Sequence, residues 1–155
     1  RYPTRRTSMA KQKLSGPERQ KFTIDVLRQW QGIERDAIET PAQIMEKTDN
    51  LLIRQIMEII RNDSVQHHRV QQFLIDSLTK TPISLSPDEL AEVWGQIEAH
   101  DELERQTIAL ARELLEQTTE PMHKILLNYL LTDEEKHDGI LNELDDFKKH
   151  MSKLS

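Results

Sequence analysis

The chain contains no cysteine. This absence excludes disulfide bonds, thiolate-bound iron–sulfur clusters, cysteine-ligated zinc sites and a cysteine nucleophile. There is also no run of about 18 or more apolar residues, so the sequence predicts no membrane-spanning helix. The sequence shows no basic segment followed by an apolar core, the pattern that is typical of a secretory signal. We therefore expect a cytoplasmic protein.

Basic residues are in the minority, since the net charge is −6 and the pI is about 5.5. This balance argues against a nucleic-acid partner, which would favour a basic surface. Only four of the 155 residues are glycine and six are proline, whereas Leu, Ile, Glu, Gln and Arg are abundant. We therefore predict one all-α domain without nucleic-acid or membrane partners.

The first 16 residues, RYPTRRTSMAKQKLSG, are basic and show no apolar periodicity. We expect residues 1–16 to form a disordered tail, with a docking arm for an acidic partner as the alternative. The folded domain is predicted to span residues 17–150.

Apolar periodicity and helix-start signals predict four helices. A Ser-Pro-Asp-Glu sequence marks one start, and the segment TKTPISLS ends the helix before it. The predicted helices are Pro17 to about Thr48, Asn50 to Leu78, Pro87 to about Thr119, and Pro121 to about Lys149.

The first two helices resemble the last two at an offset of 70 residues, which aligns residues 17–80 with 87–150. The aligned identities include Glu34 with Glu104 and His67 with His137. This repeat predicts two helical hairpins that form an antiparallel four-helix bundle with a short central connection.

Each predicted apolar stripe is interrupted near its middle by polar, mostly ionisable residues. A buried carboxylate needs a hydrogen-bond partner, a metal or water, so these interruptions suggest a site. The predicted stripes are Ile24, Leu27, Gln31, Glu34, Ile38, Pro41, Met45; Met57, Ile60, Ser64, His67, Gln71, Leu74; Trp94, Ile97, Asp101, Glu104, Ile108, Ala111, Leu115; and Leu127, Leu130, Glu134, His137, Leu141, Leu144.

Helical bundles can hold two divalent metals between single glutamates of two helices and Glu-x-x-His pairs of the other two. Here Glu134 and His137 form one such pair, His67 belongs to the other, and Glu34 and Glu104 are the single carboxylates. Carboxylate and imidazole ligands suit iron, with manganese or zinc as alternatives. The other interpretation is a purely structural polar layer, for example Glu34 paired with His137.

Residues 17–150 resemble the ferritin-like superfamily, including its bacterioferritin and rubrerythrin branches. The resemblance rests on the segments LERQTIAL, DEEKH, IERDAIE and NDSVQH. The resemblance implies a di-iron or related site that reacts with oxygen or peroxide, or oxidises Fe(II). The family's glutamate in the first Glu-x-x-His pair is Ser64 here, and the aromatic residue often found after the single glutamate is Pro41 or Ala111. The lack of cysteine excludes a rubredoxin-type centre.

We therefore expect a metal-binding protein and, if it is an enzyme, a di-metal carboxylate oxidoreductase. The alternative function is a non-enzymatic helical bundle that binds another protein and keeps a vestigial metal site.

The connection between the second and third helices limits how the bundle closes. Parallel helices with His67 and Glu104 at one height would need a span of roughly 41 Å, whereas residues 79–86 reach only about 28 Å. We expect either an up-down-up-down monomer or a homodimer that exchanges hairpins.

Overall fold

The computed structural model describes residues 13–154, and within them all regular structure is α-helical. The predicted all-α fold class is therefore confirmed. The four helices are α1 (Gly16–Glu46), α2 (Leu51–Thr79), α3 (Pro87–Gln117) and α4 (Pro121–Leu154). Residues 1–12, which hold most of the predicted basic tail, lie outside the described part of the chain. In the described part, no helix is long and apolar enough to cross a membrane.

Matching capping boxes begin the first helix of each half of the repeat. The Ser15 hydroxyl accepts a hydrogen bond from the Glu18 backbone N–H at 3.3 Å, and the Ser15 N–H donates to the Glu18 carboxylate at 3.0 Å. Ser86 and Glu89 repeat this exchange at 3.1 and 2.8 Å. Such a cap stabilises a helix by about 1 kcal/mol. Each start is thus encoded locally, although α1 begins one residue before the predicted Pro17.

Two helical hairpins make up the described chain. We call α1 with α2 hairpin 1 and α3 with α4 hairpin 2; helices pack closely within each pair. The side chain of Gln20 reaches the Leu78 carbonyl at one end of hairpin 1, whereas Arg54 reaches the Met45 carbonyl at the other, so α1 and α2 are antiparallel. The chain divides into two compact units between Ile83 and Ser84, in the segment that joins α2 to α3.

The interior of each hairpin is small and unusually polar. Among the described residues, the buried apolar side chains in helices are Leu27 and Ile75 in hairpin 1 and Leu90 and Ile108 in hairpin 2, with Pro41 also buried. Buried polar or charged residues are more numerous: Gln31, Glu34, Ser64, Gln71, Asp101 and Glu104. These six all belong to the predicted stripes.

The stripe predicted for α2 is only partly buried. Ser64 and Gln71 are buried, whereas Ile60, His67 and Leu74 are exposed. The strip along which α1 and α2 touch is buried, and residues to either side of that strip stay accessible.

Candidate metal centre

Three ligand-type side chains meet in hairpin 2. Glu104 on α3 and Glu134 and His137 on α4 each offer one atom, and these atoms lie within 4.8 Å of one another. His137 Nδ1 is 3.5 Å from Glu104 Oε1 and 3.9 Å from Glu134 Oε2. Oxygen and nitrogen ligands lie about 2.0–2.2 Å from a metal such as zinc, so two ligands of one ion are at most about 4.4 Å apart. Small side-chain rotations would therefore close this group around an ion.

Helix spacing explains why two of the three side chains come together. Glu134 and His137 are three residues apart on α4 and therefore share a face. Glu104 faces them from the neighbouring antiparallel helix, where it occupies the middle of the buried stripe of α3. The predicted Glu-x-x-His pair and its single glutamate thus meet within one hairpin.

The Glu104 carboxylate is the least accessible of these ligands. The residue is 7% exposed, and its Oε2 atom is buried without a hydrogen-bond partner. An unsatisfied buried polar atom costs about 1–3 kcal/mol. A cation held by Glu104, Glu134 and His137 would remove that cost, so the residues present fit a metal ion.

Neighbouring polar groups hold the carboxylates in place. The Thr107 hydroxyl lies 3.3 Å from Glu134 Oε2 and 2.8 Å from the Glu104 carbonyl. His100 Nε2 lies 2.8 Å from Glu104 Oε1. Asp133 Oδ2 is 3.5 Å from His137 Nε2, on the ring edge away from Glu104. Carboxylates in this position commonly fix the tautomer of a metal-binding imidazole.

Sequence reasoning did not include His100 among the candidate site residues. Its side chain is largely exposed, yet it contacts the most buried carboxylate of the site. The signal that could have identified it is its position four residues before Glu104 on the same helix, since residues at that spacing are neighbours.

An acidic pair with its own cation lies beside the three ligand residues. Arg105 Nη2 is 2.7 Å from Asp101 Oδ2, and Arg105 Nε is 3.6 Å from Asp138 Oδ1. Burial raises the pKa of Asp101, and a hydrogen bond with the Asp138 carboxyl raises it further. The neighbouring Asp138 carboxyl thus favours the protonated form of Asp101, while Arg105 pairs with both acidic side chains.

Hairpin 1 contains polar residues at the equivalent positions, but with one carboxylate fewer. His67 Nδ1 is 3.4 Å from the buried Glu34 Oε1, but buried Ser64 stands where hairpin 2 has Glu134. Trp30 Nε1 donates a hydrogen bond to Glu34 Oε1 at 3.1 Å. Trp30 occupies the position that His100 has in hairpin 2. Glu34 is thus satisfied by an indole and an imidazole within its own hairpin.

The five predicted metal ligands lie in both hairpins. Glu104, Glu134 and His137 form the one cluster of three candidate ligands among the described residues, and Glu34 and His67 form a pair.

Comparisons with protein-family models, with curated proteins and with solved structures found no match.

Proposed function

We propose that hairpin 2 binds a divalent transition metal through Glu104, Glu134 and His137. The observation that carries this proposal is the buried Glu104 carboxylate, which has one unpartnered oxygen and belongs to a group of three ligand-type side chains with Glu134 and His137. The two carboxylates supply a charge of −2 that balances one divalent ion. Two carboxylates and one imidazole also suit first-row metals better than calcium or magnesium, which favour oxygen ligands alone.

Iron is the proposed metal, with manganese or zinc as alternatives. We place the protein functionally with ferritin-like metal-binding proteins, on the strength of the Glu-x-x-His pair and its facing glutamate. Iron in such an environment supplies one-electron chemistry with oxygen or peroxide, and that chemistry would make the protein an oxidoreductase.

The side chains around the site have distinct roles in this proposal. His137 would bind through Nδ1, which requires the ring proton to be on Nε2, where it points towards Asp133. The Thr107 hydroxyl donates its single proton to the Glu104 carbonyl at 2.8 Å and lies 3.3 Å from Glu134 Oε2, to which it would donate on rotation. His100 interacts with Glu104 Oε1, so Glu104 Oε2 remains for the ion.

A second candidate function, binding another protein, is favoured by a different observation. Both hairpins expose many large apolar side chains, including Ile33 and Trp30 in hairpin 1 and Leu103 and Leu110 in hairpin 2. Contiguous exposed apolar surface often marks an interaction site. On this alternative the polar layer is a structural remnant, and the protein would bind no metal at micromolar concentrations.

Titration of the metal-free protein with Mn(II), followed by calorimetry, distinguishes the two functions. The wild-type protein should bind Mn(II), and Glu104→Gln should bind it at least tenfold more weakly because the neutral amide loses the central negative ligand. Glu113→Gln, an exposed substitution on the same helix, is the matched control and should bind like wild type. Equal binding by both variants, or none by wild type, would refute the metal site.

A further inference from the structure

The candidate ligands lie at the edge of an apolar surface on hairpin 2. On α3, positions spaced alternately by three and four residues carry His100, Leu103, Thr107, Leu110 and Leu114. On α4, Leu130, Asp133, His137 and Ile140 follow the same spacing, and Phe147 lies two turns beyond Ile140. We call these ten residues the open face. Leu103 is 57% exposed, Leu110 64% and Ile140 58%. Such a spacing of apolar residues is typical of a helix surface that packs against other helices.

The opposite side of hairpin 2 has a different character. There Arg105 pairs with Asp138 at 3.6 Å and Arg112 with Glu135 at 3.4 Å, linking α3 to α4 across a charged surface. Thr107 and His137, by contrast, belong to the open face and contact Glu134 and Glu104. The ligand residue His137 is therefore on the same side of the hairpin as the exposed apolar residues, and Glu104 lies next to it in the interior.

Hairpin 2 supplies only three protein ligands. Divalent transition metals take four to six ligands, and a carboxylate can bridge two ions through its two oxygens. Glu104 Oε2 has no partner within the described part of the chain. The half-site is reached through His137, whose side chain is 43% exposed and belongs to the open face.

Building on the proposed metal site, we propose that the open face of hairpin 2 binds the open face of a second copy of this chain. Two-fold symmetry would bring two sets of Glu104, Glu134 and His137 together, giving four carboxylates and two imidazoles. Four carboxylates carry a charge of −4, which two divalent ions balance. The pairing also covers the leucines and isoleucines that surround the ligands.

The identity of the partner follows from the ligands that each surface can provide. Hairpin 1 of a second copy would contribute Glu34 and His67 but has Ser64 in place of the second carboxylate. Its Glu34 is already engaged by Trp30. That pairing would leave two divalent ions with three carboxylates and an uncompensated positive charge in an apolar interface. A second hairpin 2 avoids this deficit.

Association should depend on the metal. Without cations, the symmetric contact would bring four carboxylates together in a setting of low dielectric constant, where like charges repel strongly. With cations, the same groups become shared ligands. By linkage, the dimer must then bind metal more tightly than the monomer does.

Sedimentation equilibrium with and without Mn(II), combined with Mn(II) titration, tests this inference on the full chain. Wild type should dimerise at least tenfold more tightly with Mn(II) and bind one ion per chain. Leu103→Glu should weaken both dimerisation and Mn(II) binding at least tenfold. Ile33→Glu is the matched control, since Ile33 is the repeat equivalent of Leu103 and is 60% exposed, and it should leave both unchanged.

Circular dichroism checks that each variant is folded, and Ile140→Glu replaces Leu103→Glu if the latter is not. Mn(II) bound by a wild-type monomer, or a dimer equally strong without metal, would overturn the symmetric pairing while leaving the proposed metal site in place. Loss of dimerisation in Ile33→Glu alone would assign the contact to hairpin 1. Absence of Mn(II) binding in wild type would refute both proposals.

Discussion

At the scale of the residue, the central feature is a buried glutamate with half of its carboxylate unpaired. Glu104 is about as buried as its counterpart Glu34, yet the two have different surroundings. Glu34 accepts a hydrogen bond from Trp30, whereas Glu104 meets His100 and a second carboxylate-bearing ligand residue, Glu134. Two neighbouring acidic groups raise the electrostatic cost of folding without a cation. This difference is the reason for assigning the metal to hairpin 2.

Asp101 makes a pH-dependent contribution to stability. Burial, followed by the interaction with Asp138, raises its pKa, so the folded protein retains this proton at higher pH than the unfolded chain does. The resulting stabilisation is complete below the unfolded-state pKa and is lost as the pH rises through the folded-state pKa. Asp101→Asn cannot ionise, so it should increase Tm relative to wild type more at pH 7 than at pH 4, by a few degrees.

Thermal unfolding of the metal-free proteins at the two pH values measures this effect. Asp146→Asn, an exposed substitution on α4, is the control and should show no such dependence. If the Tm difference between Asp101→Asn and wild type were the same at both pH values, the raised pKa of Asp101 would make no net contribution to stability.

At the scale of the element, the two hairpins are related in sequence but differ in one ligand. Ser64 of α2 is buried beside the layer that contains Glu34 and His67. Ser64→Glu would supply the missing carboxylate. It should destabilise the metal-free protein, because it adds a buried negative charge, and should increase the amount of Mn(II) bound or the affinity for it.

Gln66→Glu adds the same charge at an exposed position of α2 and is the appropriate control. It should alter neither metal-free stability nor Mn(II) binding appreciably. Calorimetric titration of the two variants compares them directly. Identical binding curves for Ser64→Glu and wild type would mean that the missing carboxylate is not what limits metal binding by hairpin 1.

Sequence patterns predicted the elements well because their causes are local. Ser15 and Ser86 cap α1 and α3 through residues three positions away, and the spacing of Glu134 and His137 alone places them on one face. The contact between Trp30 and Glu34 and the interaction of Asp101 with Asp138 depend on side-chain rotamers and on packing between helices. Periodicity contains no information on either, so these features emerged only from the structure.

At the scale of the whole molecule, few of the large apolar side chains in the described chain are buried and many are exposed. Leu90 and Ile108 are the buried large apolar side chains of hairpin 2, while Leu103, Leu110 and Ile140 are exposed. Because burial of apolar area is the main source of stability, each such surface favours association with another helical surface. The proposed symmetric contact would couple this association to metal binding, so that metal supply would control assembly.

The central claim, a metal bound by Glu104, Glu134 and His137, is tested most directly by anomalous diffraction from crystals grown with Mn(II). We expect an anomalous peak about 2.0–2.2 Å from a carboxylate oxygen of each glutamate and from His137 Nδ1. A peak bound only by exposed carboxylates elsewhere, or no peak in fully loaded crystals, would contradict it.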